Sequence, residues 1–432
     1  MIFRIPIKKI FLAGLFQIAG AALTAQVTLE ECVGMARENY PLIKKYNLLQ
    51  QTEERELSDI NKGWLPQIGV YGQGTFQNAV PGFPDALSGI LDHMGAQVKG
   101  LGKFQYKAGV EINQTIWDGG ESKSRREVSR TTDDQRKASL DVELYSVRER
   151  VENLFFSILL IEEQIKQSDQ MQTLLQSNLS RMKVMKENGT AMQCDVDMME
   201  AQCLTVAQQI VMAKGNSQAY RRMLGVFTGA DMESELLEKP SGIIPADMNV
   251  NRPELSLLDA RRQANEALEG TVRASLMPRI GFFAQGYYGY PGLDYFKSMM
   301  NREMSLNLLG GIKVSWNIGS LYTRDNRLRE LRLSADEISV DRDIFLFNTE
   351  MQTRSQLTRI RTLEDLIKED SRIVELRGNV RKAAEAQLDN GVIDATDLLS
   401  KITDENQARL TAIYHEIQLT QTIYQLKYTL NR

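Results

Sequence analysis

The feature that most constrains this chain of 432 residues is an internal repeat. Residues 65–74 (LPQIGVYGQG) recur as residues 277–286 (MPRIGFFAQG), with the proline, isoleucine and first glycine in the same places. Three later pairs share one offset of 202 residues: Gly109 with Gly311, Gly189 with Gly391, and Asp195 with Asp397. Chance does not hold one register over a stretch of about 90 residues, so the sequence predicts two copies of one supersecondary plan.

Each half shows the same predicted order of elements: a helix, a strand opened by proline, a Gly-rich loop, a strand, a very long helix and a last helix. The predicted helices are residues 28–62, 122–187 and 194–227, then 253–275, 323–389 and 396–430. We therefore expect a first structural repeat (helix, two membrane strands, long helix, helix) over 26–227 and a second over 252–432. Residues 228–251, with Pro240 and Pro245, form the linker or equatorial region between them.

Residues 1–25 are predicted to be a secretory signal peptide, with a membrane anchor helix as the alternative. Arg4, Lys8 and Lys9 precede an apolar stretch, and Ala25 supplies a small residue at its end. Cys194 and Cys203 lie on one predicted helix, too far apart to bridge, so an exported chain with three cysteines is not a disulfide scaffold.

Composition excludes several functions. A net charge of −4 gives no basic surface for nucleic acid. Two histidines and three cysteines leave few metal ligands, and neither a G-x-S-x-G motif nor a phosphate-binding glycine loop is present. We expect no cofactor and no enzymatic activity. Mean hydropathy is negative, and beyond the N-terminal stretch no apolar run is long enough for a membrane-spanning helix.

Four segments alternate between apolar and polar residues, the pattern of strands with two different faces. They lie near residues 67–77, 104–117, 279–290 and 304–317, long enough to cross a bilayer when tilted. Aromatic residues at the strand ends are candidates for a membrane-interface belt: Trp64, Tyr106, Trp117, Tyr288 and Trp316. A water-soluble sheet with one face on a core is the alternative. Four strands cannot close a barrel in lipid, so several copies must share one.

The predicted long helices do not fit inside a compact chain. A helix of ~65 residues spans ~100 Å, whereas a globule of this size is only ~45 Å across, so these helices must project. Leu140, Leu144, Val147, Val151, Leu154, Ile158, Ile161 and Ile165 step by fours and threes, which predicts a coiled-coil seam that holds a wall together.

Several motifs of the sequence resemble those of a known protein family. Residues 114–120 (QTIWDGG) are similar to the strand-to-helix junction of TolC-like outer-membrane efflux proteins, and residues 315–319 (SWNIG) to the matching junction in that family's second repeat. Both Asn-Gly breaks, with an aspartate six residues after each glycine, also fit. The similarity covers nearly the whole chain after residue 25, and it rests on the order and duplicated spacing of the motifs.

The resemblance implies an α plus transmembrane β fold. Four strands per subunit would form a trimeric 12-stranded β-barrel, continuous with a long periplasmic α-helical barrel, in the cell outer membrane. It also implies a passive exit duct in a tripartite efflux or secretion system. The implied partners are two further copies in a homotrimer, outer-membrane lipid, a periplasmic adaptor (membrane fusion) protein and an inner-membrane pump.

The resemblance also points to site residues. Asp195 and Asp397 match positions at the family's constricted tip, where three copies of an acidic side chain would form a selectivity ring. Their alternative role is favourable charge at a helix N-terminus, with Thr396 as a cap. Ile393 and Ser400 depart from the family's charged residues, and Asp394 is a candidate substitute. Gly189 and Gly391 are candidate adaptor-facing turns, or simple helix stops.

An exported trimeric coiled-coil scaffold or adhesin without a pore is the competing function. It accounts for the heptads but gives no reason for four strands with two different faces.

Overall fold

The computed structural model describes residues 26–95 and 100–432, so the predicted signal peptide lies outside the described residues. The described helices are α1 (Leu29–Asn39), α2 (Lys44–Lys62), α3 (Asp85–His93), α4 (Glu121–Glu187), α5 (Gln193–Thr228), α6 (Pro253–Ala274), α7 (Tyr295–Asn301), α8 (Ser320–Asp389) and α9 (Ala395–Leu430). The strands are β1 (Gln67–Phe76), β2 (Phe104–Trp117), β3 (Arg279–Tyr290) and β4 (Ser305–Ser315). The order helix, strand, short helix, strand, long helix, helix occurs twice along the chain.

The structure confirms the four predicted strands and the two very long helices, which have 67 and 70 residues. No helix among the described residues combines the length and apolar composition needed to cross a membrane. Two expectations were wrong. The single helix expected over residues 28–62 is divided by a 3₁₀ turn, Pro41–Ile43, because proline lacks the N–H that a continuous helix needs. The Gly-rich loops contain two short helices, α3 and α7.

The described chain forms two compact units, each built from separate stretches of sequence. One unit contains α1 with residues 150–243 and 360–424; the other contains residues 40–149, 244–359 and 425–432. Each long helix therefore contributes one part to each unit.

The first unit has a helical core. Apolar side chains of α4, α5, α8 and α9 form one buried cluster: Met171, Leu175, Met182, Val196, Met199, Cys203, Val206, Ile210, Ala384, Leu388, Ala395, Leu398 and Ile402. Cys32, Cys194 and Cys203 are free thiols. Burial raises the pKa of Cys32 to about 11, so that thiol stays protonated at neutral pH.

The second unit carries one antiparallel sheet in the order β1-β2-β3-β4. Each strand pairs with the strand that follows it along the chain. The register aligns Val70 with Val110, Val110 with Gly286, and Gly286 with Leu308. Because side chains alternate along a strand, this register fixes which residues share a face.

Candidate functional site

The two faces of the sheet differ in chemistry. In all three pairings, apart from the pair Trp117–Ile280, even-numbered residues oppose even-numbered ones, which places nearly all the aliphatic side chains on one face. This face is exposed: Ile68 is 70% exposed, Leu308 79% and Ile312 69%. The other face carries Gln67, Gln73, Gln105, Lys107, Glu111, Asn113, Arg279, Gln285, Asn307 and Lys313, with Tyr71, Phe283, Tyr287 and Leu309 among them. Exposed, continuous apolar faces of this kind mark surfaces that contact other proteins or a membrane.

The predicted interface aromatics lie at the two ends of this sheet. Trp64, Trp117 and Trp316 lie at the end that leads into the helices, and Tyr106 and Tyr288 lie near the other end. All five are at least about one-third exposed. The 12 residues from Tyr106 to Trp117 span about 36 Å of strand, or about 28 Å of height at a tilt near 40°, close to the apolar band of outer-membrane barrels.

A β-bulge in β2 was not predicted. The register shifts between Thr115 and Trp117, so that Trp117 pairs with Ile280 instead of falling on the polar face. The bulge brings the tryptophan to the apolar face, at the end of the sheet next to α4. The only signal in the sequence is the adjacent apolar pair Ile116-Trp117, which breaks the alternation.

The outer edges of β1 and β4 have no partner strand within the described chain. Edge strands of 10 and 11 residues leave rows of backbone N–H and C=O groups without ladder partners. In lipid such groups must be paired, because no water is present to satisfy them.

The Asp-Gly-Gly motif forms the junction between β2 and α4. The Asp118 carboxylate accepts hydrogen bonds from the amides of Gly120 (2.9 Å) and Ser122 (2.7 Å) and so caps α4. Burial opposes ionisation of Asp118, but the hydrogen bonds from Ser122 and Gly120 outweigh it and lower its pKa. Gly119 has φ +68°, and a Cβ there would lie 2.4 Å from the Cβ of Met277. The motif is therefore a structural requirement of the turn.

The two predicted turns have the same geometry. Gly189 (φ +75°) and Gly391 (φ +70°) end α4 and α8 in left-handed conformation. In each turn, the next amide donates back to a carbonyl five residues earlier, Thr190 to Met185 and Val392 to Gln387, both at 2.9 Å. These are Schellman turns, which satisfy the last carbonyls of a helix and require glycine at that position. Met192 and Val392 protrude, 72% and 69% exposed.

The three candidate acidic residues follow these turns at the start of α5 and α9. Asp195 is half-buried, and its carboxylate accepts from the amide of Met192 at 2.9 Å. Asp394 caps α9 by accepting from the amide of Asp397, also at 2.9 Å. The expected cap, Thr396, was wrong: its hydroxyl donates to the Met198 sulfur of α5 at 3.7 Å. Asp397 is exposed. Of the three candidate carboxylates, that of Asp397 is thus the one that does not cap a helix.

The structure brings both helix starts together at one end of the first unit. Val196 of α5 shares a buried cluster with Ala395 and Leu398 of α9, and the Thr396–Met198 contact adds to it. An unpredicted ion pair, Arg181 of α4 with Asp389 of α8 at 3.2 Å, joins the two long helices just before their turns. Sequence spacing gives no signal for a pair 208 residues apart.

Further along α8 and α9 lies a buried ion cluster. Glu405 is 5% exposed and accepts hydrogen bonds from Arg409 (2.7 Å) and from Arg381. Burial of Glu405 opposes its ionisation, but the two arginines outweigh this and lower its pKa. In the first half, the position 202 residues earlier is Cys203, in the apolar cluster.

One apolar stripe of the second unit is uncovered. Leu333, Val340, Ile344, Phe347 and Met351 of α8 step by sevens, fours and threes and are all more than half exposed. The predicted seam of α4 is different: five of its eight residues, Leu140, Leu144, Val147, Val151 and Ile158, are at most 4% exposed, and the other three are half-buried. The α8 stripe has coiled-coil spacing without a partner in the described chain.

A two-faced four-stranded sheet joined to a pair of very long helices is the subunit architecture of TolC-like outer-membrane channels. Solved structures with this fold include CusC (TM-score 0.68, 15% identity, covering 96% of this chain and 95% of that one) and CmeC of Campylobacter jejuni (0.65, 14%, 93% and 85%). VceC of Vibrio cholerae is also similar (0.66, 11%, 93% and 95%). No protein-family description and no curated protein sequence matches the chain. The predicted family resemblance is confirmed at the level of the fold.

Proposed function

We propose that this chain is the outer-membrane channel subunit of a tripartite efflux or secretion system. It would form a passive exit duct, perform no chemistry itself, and carry substrates driven by an inner-membrane pump. The observation that carries the proposal is the sheet, because its apolar face suits lipid and its polar face suits a water-filled lumen.

The unpaired outer edges of β1 and β4 and the exposed apolar stripe of α8 support a homotrimer. Pairing β4 of one copy with β1 of the next closes a cylinder, and three copies of four strands give 12. The same neighbour would cover the stripe of α8, so one arrangement satisfies both features. A coiled-coil scaffold without a pore leaves the apolar face of the sheet unexplained.

The helical part of the trimer would lie in the periplasm. Gly189 and Gly391 shape the turns at one end of the first unit, where we place contact with a periplasmic adaptor protein. Asp397 would form the acidic ring at the duct's narrow end, with Asp195 and Asp394 serving mainly as helix caps beside it. Two structural repeats, 26–227 and 252–432, joined by the linker 228–251, are the proposed domain organisation.

Charge substitutions on the two sheet faces test the proposal. Leu308→Arg places a charge at mid-strand on the apolar face, which costs about 2–4 kcal/mol in a bilayer, whereas Asn113→Arg lies on the polar face. We expect the first variant to fail to assemble in outer membranes and the second to give heat-modifiable oligomers with steady conductance in planar bilayers. Equal assembly of the two variants, or wild-type protein that stays soluble without detergent, would contradict a lipid-facing sheet.

A further inference from the structure

Both loops that join paired strands lie at the end of the sheet away from the long helices. One joins β1 to β2 and carries α3; the other joins β3 to β4 and carries α7. The two loops are packed together: Leu101, Tyr290 and Met299 form a small buried core, and Phe83 and Phe296 contact at 5.8 Å between ring centroids. The Arg302 side chain donates to the carbonyl of Gly100 at 3.0 Å. These contacts fix α7 in place.

The β3–β4 loop lies over the polar face of the sheet. The Leu293 amide donates to the Asn307 side chain at 2.7 Å, and Asn307 points from the polar face. Asn307 and Tyr287, which pair on that face, are each only 8% exposed, whereas Leu306 and Leu308 on the other face of the same strand are 81% and 79% exposed. The loop therefore covers the face that lines the proposed lumen.

α7 exposes large apolar side chains. Tyr295 and Met300 are 53% and 44% exposed, and Phe296 is 67% exposed although its ring contacts Phe83, whereas Ser298 and Met299 are buried. Large apolar side chains exposed over a polar, water-filled space favour contact with one another, because water solvates them poorly.

We propose that the three copies of α7 meet on the axis of the trimer and form an apolar lid across the outer mouth of the duct. This inference rests on the proposed trimeric channel. A closed 12-stranded sheet is about 24 Å across, so its axis lies about 12 Å from the wall. A helix with its side chains is about 10–12 Å thick. One helix on the wall of each copy thus reaches the axis, where an apolar constriction excludes water and ions.

Labelling of a lumen cysteine from outside the cell tests the lid independently of the duct's other end. Lys313 lies on the polar face, eight residues along β4 from Ser305, which is about 27 Å of strand or about 21 Å of height at a tilt near 40°. Lys313→Cys is made in a Cys194→Ser background, and intact cells receive a bulky, membrane-impermeant maleimide. The lid variant replaces Tyr295 and Met300 with serine and keeps Phe296, whose contact with Phe83 holds α7 in place; Lys297→Ser on the same helix is the matched control.

We expect the serine lid to speed labelling at position 313 by about tenfold or more, and the Lys297 control to leave it unchanged. If position 313 is labelled at the same rate with the wild-type and the serine lid, or is labelled in neither, the proposed lid is wrong. Asp92→Cys on α3, outside the lid, reports the orientation: if it is not labelled from outside, or if crosslinking shows no trimer, the proposed channel itself fails.

Discussion

The long helices α4 and α8 hold the same place in the two halves of the chain but have opposite surfaces. Five seam residues of α4 between Leu140 and Ile158 are at most 4% exposed and Leu154 is half-buried, whereas the apolar stripe of α8 from Leu333 to Met351 is more than half exposed. The seam of α4 is thus largely covered within the subunit, whereas the stripe of α8 is uncovered in the described chain. We propose that another copy covers that stripe.

The largest difference in unfolding free energy is expected between alanine substitutions of two phenylalanines, one in each helix. Phe155 of α4 is fully buried and Phe347 of α8 is 63% exposed. Phe155→Ala should lower the free energy of unfolding by about 3–5 kcal/mol, through lost burial and a cavity. Phe347→Ala should leave unfolding of the separated subunit nearly unchanged and weaken association of copies. Denaturant titration measures the unfolding free energy, and a parallel crosslinking assay measures association. Similar losses in unfolding free energy for the two variants would contradict the difference between α4 and α8.

The two strand-to-helix junctions should also differ. Gly119→Ala forces a Cβ into the Met277 side chain at a positive φ and should destabilise the fold by about 2–3 kcal/mol. Gly319, at the second junction, has an ordinary φ, and a Cβ there approaches only the Asn317 side chain at 3.3 Å. Gly319→Ala should be nearly neutral. Thermal unfolding of both variants measures the difference; equal melting temperatures would show that the first junction is not under constraint.

Acid pH should destabilise the buried ion cluster that Glu405 forms with Arg381 and Arg409. Because the pKa of Glu405 is lowered in the folded protein, its stabilisation is present above its ordinary pKa of 4.5 and is lost as pH falls through the folded value. Glu405→Gln should cost about 1–3 kcal/mol at pH 7 and flatten the pH dependence below 4.5. Cys203→Ser, at the equivalent place in the first half, should show the wild-type pH dependence. An unchanged slope in Glu405→Gln would remove the ion cluster as its cause.

The smallest effects are expected at the turns. Asp397→Asn should raise the conductance of the resting pore or reduce its cation preference, because its exposed carboxylate is not used as a cap. Asp195→Asn should chiefly weaken the start of α5, since its carboxylate accepts the Met192 amide. Single-channel recordings in salt gradients measure both. Unchanged conductance and selectivity in Asp397→Asn would retire it as a gate residue.

Sequence periodicity predicted the strands, the long helices and the two glycine turns, because each depends on local spacing. The α3 and α7 helices were missed because they are held by contacts between two loops, such as Phe83 with Phe296. The bulge at Trp117 depends on its pairing with β3. The interruption of the first helix at Pro41 could have been predicted from the sequence. The choice of Asp394 over Thr396 as cap depends on backbone geometry at the turn, which periodicity does not report.

We propose that one copy of this chain is incomplete and that three copies close the sheet. The most direct measurement pairs cysteines across the open edges, one at Tyr71 of β1 and one at Leu309 of β4, in a Cys194→Ser background. Both positions lie on the polar face, near mid-strand. We predict disulfide-linked dimers and trimers in detergent, with nothing larger. A protein that remains a monomer in detergent, with both cysteines freely labelled, would contradict the account.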